Sequence, residues 1–177
     1  MSLVDLASPD KSRRMAAVLT MATALAVPAE GLRFWAYRDP PGILTVCRGH
    51  TGPDVQVGRR YTLSECDRLL DADMRAAVLT VERCVPGLPE PVHASFADAV
   101  FNLGPRIACD TQRSAAARML KARDFRGACG ELPRWNKAGL AGILVPLPGL
   151  TKRRAAERDL CETALTPAAM TEERLSP

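Results

Sequence analysis

"EGLRFWAYRDPPGILTVCRGH", residues 30–50, holds one glutamate, one aspartate, one cysteine and one histidine, with Thr45 in its second half. From Asp39 to Gly42 the chain is turn-forming, because an aspartate is followed by two prolines and a glycine. "ILTVC" (43–47) is then a short strand by its β-branched content. Glu30 follows an apolar run that Pro28 should disturb or end. With Glu30 at a helix end and Asp39 at the tip of a hairpin, both carboxylates can face one cleft, and Thr45 lies on the adjacent strand. Glycoside hydrolysis requires such a pair: one carboxyl protonates the leaving oxygen, and the other stays charged beside the positive centre or a water. Leu32, Phe34 and Trp35 next to Glu30 offer an apolar wall that would favour the protonated acid. Residue types alone make a weak case, since most carboxylates nine residues apart are surface charges.

Working outward, residues 1–10 read as a flexible lead and 15–27 as a helix. "VQVG" (55–58) is a candidate second or third strand, which makes the middle section a small antiparallel sheet. Thr62 and Glu65 match a capping box, opening a helix from Leu63 to about Arg83. A proline-rich loop follows, then a helix from about Val92 to Leu103 that Gly104-Pro105 stops. Asp110 or Thr111 can cap a helix reaching about Ala122, and Asp124 a short one through Leu132. Residues 136–149 read as an unusually apolar loop, and Thr151 opens a last helix to about Ala164. Helix, small sheet, then many helices is an α+β protein in two lobes. The expected division is a lead and weakly hydrophobic segment over 1–29, a catalytic domain over 30–165 and a tail over 166–177.

Apolar residues make up 47% and charged residues 25%, as in a globular chain. The net charge of +4 suits a polyanionic partner such as nucleic acid, an anionic membrane or cell wall. Nucleic acid is disfavoured: no lysine-arginine block is long, and no helix interleaves a basic stripe with aromatics. "TKRRAAER" (151–158) reads as a solvated helix face with Arg–Glu pairing. Six cysteines without a C-x-x-C, and His50 and His93 outside zinc-like spacing, argue against a metal site. The even count fits disulfides in an oxidising compartment, with six buried thiols as the alternative. Residues 15–29 carry no charge and follow Lys11, Arg13 and Arg14. The run falls short of the roughly 20 residues of a stable spanning helix. Export signal, poor membrane anchor and alanine-rich core helix all remain open on this pattern.

Glu30, eight residues, Asp39, five residues, Thr45 is a more specific pattern, and it resembles the phage-type lysozymes of glycoside hydrolase family 24. "SFADAVFNLG" (95–104), "RGACGELPRW" and "GLTKRRAAERDLC" resemble further segments of that family, so the likeness spans roughly residues 28–162. It implies a lysozyme-like two-lobed fold. It also implies an endolysin hydrolysing the β-1,4 bond between N-acetylmuramic acid and N-acetylglucosamine in peptidoglycan, with lysis of the host cell. Carried over, Glu30 is the general acid, Asp39 stabilises positive charge or helps activate water, and Thr45 holds that water; the family favours inversion. Asn102, in Phe-Asn-x-Gly, is either a substrate contact or a helix-capping side chain. His50 is expected to help order the site near the acid glutamate. A Cys47–His50 nucleophile and base is the rival, though three residues on a strand and turn need not converge. No cofactor or metal and a monomeric state are expected. Lytic transglycosylase action on the same bond and a non-catalytic wall-binding disulfide module are the alternatives.

Local geometry pairs Cys47 with Cys66 and Cys84 with Cys109, which leaves Cys129 for Cys161. Some members of the family carry a weakly hydrophobic N-terminal tether that is later released from the inner membrane, the signal-arrest-release endolysins, and residues 15–29 look like one. The implied location is the periplasmic side of the host inner membrane, then the periplasm. Thiol-exchange control is not expected, because residues 15–29 lack cysteine and position 39 is Asp. Membrane residence would instead misplace Glu30, with a cleaved signal peptide as the runner-up. The apolar loop 140–149 could close over the site, pack against the released helix or touch lipid.

Overall fold

A computed structural model describes residues 9–39, 42–140 and 143–166. The expected tail over 166–177, apart from Thr166, and the first eight residues of the lead lie outside them. Helix α1 runs Pro9–Ala29, with a proline in its first turn and Pro28 in its last. Three strands follow, β1 (Arg33–Arg38), β2 (Leu44–Cys47) and β3 (His50–Thr51), in one antiparallel sheet ordered β1-β2-β3. Thr45 pairs with Tyr37 on one side and Thr51 on the other. "VQVG" is not a strand: Val57 is 75% exposed and Gly58 turns the chain at φ +77.

The rest is a helical lobe. Helix α2 (Leu63–Cys84) starts at the Thr62/Glu65 capping box and buries Cys66, Leu70, Met74, Ala77, Val78 and Val81, close to helical spacing. Helix α3 (Glu90–Leu103) is buried from Val92 to Val100. A helix buried on all sides lies at the centre of a bundle, and α3 packs against α1, α2 and the last helix. A short α4 (Arg106–Cys109) precedes α5 (Ala115–Lys121). Here the expected Asp110 or Thr111 cap is replaced by Ser114, whose hydroxyl accepts from Ala117 N at 3.1 Å. Asp110 Oδ1 instead accepts from Gln112 and Arg113 N–H, which closes a turn and delays the helix. Helix α6 (Phe125–Glu131) is capped by Asp124 as expected, and a 3-10 turn (Leu132–Trp135) follows.

Residues 136–149 are not a plain loop. Strands β4 (Lys137–Leu140) and β5 (Ile143–Pro146) form a separate antiparallel hairpin. Its glycine and proline content masked the β-branched Ile143 and Val145. Helix α7 (Pro148–Thr163) then returns across α3.

The segment expected to be a tether, or a core helix, is packed. Val18, Ala22 and Ala26, spaced i, i+4, i+8, are fully buried on one face of α1. Two alanines in this row let α1 approach α3 closely. Arg14 donates to the carbonyl of Leu88, and Arg48 Nη1 to that of Val27 at 3.3 Å. Among the described residues no helix is long and apolar enough to cross a membrane. All six cysteines are bonded, as Cys47–Cys66, Cys84–Cys109 and Cys129–Cys161. Cys47 therefore has no thiol to act as a nucleophile.

Candidate active site

Glu30 closes α1: its backbone N–H still donates to Ala26 O at 3.0 Å, after which the chain turns into β1. Its side chain sits at the seam of the two lobes. From the sheet lobe, Gly49 approaches so closely that a Cβ there would stand 3.3 Å from Glu30 Oε2. From the helical lobe, Arg153 Nη1 on α7 donates to Glu30 Oε1 at 2.5 Å. Leu32 and Phe34, expected as an apolar wall, pack instead into the sheet-lobe core, and Trp35 is half exposed. The dominant neighbour of Glu30 is a cation, not a hydrocarbon wall.

Asp39 and Thr45 both bind the backbone of Ile43. Asp39 Oδ1 accepts from Ile43 N at 2.7 Å, and Thr45 Oγ1 donates to Ile43 O at 3.1 Å. Asp39 thus joins the end of β1 to the start of β2. Thr45 is buried, and its hydroxyl keeps acceptor capacity after donating to Ile43.

His50 is not bonded to Glu30. Its Nδ1 lies 2.7 Å from Asp73 Oδ2 on α2, and its Nε2 lies 3.1 Å from Asp54 Oδ2. Burial alone would lower its pKa, but the two aspartates outweigh burial and hold it above the usual histidine value. His50 therefore ties the sheet lobe to α2. Asn102 Oδ1 accepts from Arg154 Nη2 at 2.9 Å, so its side chain does not cap α3. That bond ties the C-terminal end of α3 to α7.

Sequence reading missed the group that holds Glu30. Arg153 grips Asp98 of α3 with two bonds, Nε to Oδ2 at 2.9 Å and Nη2 to Oδ1 at 2.7 Å, while its third nitrogen reaches Glu30. Burial works against its charge, yet the bonds to Asp98 and Glu30 prevail and hold its pKa above the usual arginine value. Arg154 Nη2 stands 2.6 Å from Glu157 Oε1. "TKRRAAER" pairs its charges as expected, but Arg153, Arg154 and Glu157 are buried rather than solvated. The available signal was Asp98, a lone acid in the apolar run "SFADAVF" that needs a buried cation.

A hollow of 290 Å³ beside this seam is lined by Gly49 and Thr51 of the sheet lobe and Asp73, Val100, Phe101 and Pro105 of the helical lobe. A larger cavity of 830 Å³, lined among others by Arg106, Arg134, Trp135 and Lys137, includes none of the residues expected to act. Size does not locate chemistry here. The smaller hollow adjoins Glu30 through Gly49.

A small antiparallel sheet set against a helical bundle, with a carboxylate at the seam, is the lysozyme-like α+β plan. Solved structures share it. An endolysin from Escherichia coli O157:H7 phage FAHEc1 superposes with a TM-score of 0.68 at 25% identity, over 85% of this chain and 94% of that one. The active form of P1 phage endolysin Lyz gives 0.65 at 26% identity, over 86% and 94%. A SAR-endolysin of Bacteriophage PS119 is 36% identical over 133 residues, 75% of each chain. The Phage lysozyme family profile matches residues 28–157. The chain belongs to the phage lysozyme family and is a lysozyme, an enzyme of the endolysin type.

Proposed function

We propose that this lysozyme hydrolyses the β-1,4 bond between N-acetylmuramic acid and N-acetylglucosamine of peptidoglycan, with Glu30 as general acid. The observation that carries this reading is the position of Glu30. It ends α1 at the lobe seam, anchored by Arg153 at one oxygen and faced by Gly49 at the other. Asp39, oriented through Ile43, supports positive charge at the sugar or helps activate water. Thr45 holds that water on the opposite face. The match of all three residues to the Glu-x8-Asp-x5-Thr pattern supports these roles. General acid catalysis contributes about 10²–10⁴-fold, so Glu30→Gln should lose at least about a hundredfold in rate. Asp39→Asn should fall less far. Mass spectrometry of digests from purified peptidoglycan checks both variants and the bond. Reducing N-acetylmuramic acid ends are expected; anhydro-sugar ends would identify a transglycosylase, and an active Glu30→Gln would remove Glu30 from the acid's role.

Residues 15–29 serve as a reversible inner-membrane tether that keeps the enzyme inactive until release, after which it acts in the periplasm. Two facts support this: the similarity to SAR-endolysins of Bacteriophage PS119 and Bacteriophage PS34, and the marginal, alanine-rich apolarity of a segment that also fits the bundle. Replacing several exposed alanines of this segment with leucine should leave the enzyme membrane-bound and inactive. Unimpaired lysis by that variant would count against the tether.

A further inference from the structure

Asp98 and Glu157 are both fully buried beside Arg153, yet hydrogen bonds reach only one of them. Asp98 accepts on both oxygens from Arg153. Neither oxygen of Glu157 has a hydrogen-bond donor among the described residues. Arg154 Nη2 is close, at 2.6 Å, but off the line of a hydrogen bond, and Arg153 Nε, at 3.7 Å, is already committed to Asp98. An ionised carboxylate without water or donors is among the costliest groups a core can hold.

Charge counting gives the same result. Three carboxyl groups, Glu30, Asp98 and Glu157, face two guanidinium groups, Arg153 and Arg154. Fully ionised, this mostly buried cluster carries one net negative charge; a single proton makes it neutral. Asp98 is an unfavourable place for the proton because it receives two charge-assisted bonds. Glu30 is bonded to Arg153 and partly exposed. Glu157 has neither compensation, and it shares Arg153 Nε with Asp98, the nitrogen standing 3.7 Å from Glu157 Oε1 and 2.9 Å from Asp98 Oδ2. Two ionised carboxylates cannot bond to each other, whereas a proton on one turns their contact into a hydrogen bond.

We infer that Glu157 is held as the neutral acid, donating its proton to Asp98, and that it is a positioning residue for Glu30 through Asp98 and Arg153. This deepens the reading of Glu30 as the acid and rests on it. With Glu157 neutral, the charge of Arg153 is shared between Asp98 and Glu30 alone. An ionised Glu157 would compete for Arg153 Nε and draw the guanidinium toward α7. Burial first, then the contact with Asp98, push the Glu157 pKa well up, and Arg154 opposes them incompletely. The charged groups facing Glu157 are Asp98 from α3, Arg153 and Arg154 from α7, and Glu30, just after α1, through Arg153. Among the described residues, no ionisable group of α6 or the 3-10 turn pairs with it.

The test uses the full-length enzyme and a soluble peptidoglycan fragment. The infrared difference spectrum of wild type minus Glu157→Gln at neutral pH should contain the carbonyl band of an un-ionised carboxylic acid, shifting in heavy water. Glu157→Gln, which matches the neutral acid in shape and charge, should keep kcat within about twofold, whereas Glu157→Leu should lower it about tenfold with KM little changed. Absence of the acid band, or a Gln variant as impaired as the Leu variant, would overturn the protonation. A present band with both variants at wild-type activity would overturn the positioning role. Should Glu157→Leu fail to fold, the band and the Gln variant still decide. An active Glu30→Gln would sink the general-acid reading while leaving the band in place, so the two failures are distinguishable.

Discussion

In the sheet lobe, the buried cluster among the described residues is Val46, Cys47, Val55, Tyr61 and Cys66, and two of these five are the halves of one disulfide. In the helical lobe a continuous cluster runs from Val18 on α1 to Cys161 on α7, and carries His93, Asp98, Arg154 and Glu157 inside it. The small lobe is therefore held by a covalent bond and backbone geometry, the large one by packing deep enough to enclose charges. The candidate site draws on both. Asp39, Thr45 and Gly49 depend on the fragile side, while Glu30 and Arg153 depend on the robust one.

Disulfide removal is the strongest way to break this contrast. Cys47–Cys66 and Cys129–Cys161 close loops of 19 and 32 residues, for which chain entropy gives nearly equal effects of about 3–4 kcal/mol. Any larger difference must come from the lobes. Replacing Cys47 and Cys66 with alanine should unfold the sheet lobe below the main transition and abolish lysis, while far-ultraviolet circular dichroism keeps most of its helical signal. The same change at Cys129 and Cys161 should lower Tm but leave activity measurable at 25 °C. Equal losses of activity from both pairs would show that the lobes do not differ in this way.

Two glycines sharpen the contrast within the sheet lobe. Gly49 and Gly58 both have positive φ, at +87 and +77, so alanine strains either by roughly 1–2 kcal/mol. Only at Gly49 would the new Cβ meet Glu30, whereas nothing lies within 4 Å of one at Gly58. The two variants should therefore share a similar Tm, but Gly49→Ala alone should lose activity, by tenfold or more as expected when a reacting group is displaced. Matched activities would mean that Gly49 does not position the Glu30 carboxylate.

How much of this was legible beforehand follows the same division. Local signals were readable: the Thr62/Glu65 box, the Gly104 stop, the Asp124 cap and the strand "LTVC" all act over a few residues. Glu30, Asp39 and Thr45 could be proposed because a short pattern spaces them. Arg153, Asp98 and Glu157 were not, because they are separated from Glu30 by up to 127 positions and meet only after α1, α3 and α7 pack. The paired charges of "TKRRAAER" look the same in sequence whether solvated or buried. The β4–β5 hairpin was hidden for a different reason: strand partners are chosen by proximity, and glycine-proline content argues locally for a loop.

The smallest effect is a pair of opposite pH slopes, one from each lobe. His50, whose pKa is raised in the folded protein by Asp73 and Asp54 despite burial, binds its proton more tightly folded than unfolded. Its contribution is full below the unfolded value of about 6.5 and is lost as pH rises through the raised value. His93 is the reverse: burial lowers its pKa, opposed only in part by the Val78 carbonyl and Glu82. It is stable as the neutral ring above about pH 6.5, and that stability is lost as pH falls toward its lowered value. His50→Asn should therefore cost about 1.5–3 kcal/mol near pH 5.5, the range of a charge-assisted hydrogen bond, and progressively less in alkaline solution. His93→Gln should cost most above pH 7 and least in acid, where the wild type must charge a buried ring. Urea unfolding from pH 5 to 9 measures both differences. Parallel slopes for the two variants would mean that the ion pairs of His50 do not survive in solution, and the sheet lobe would then lean on its disulfide alone.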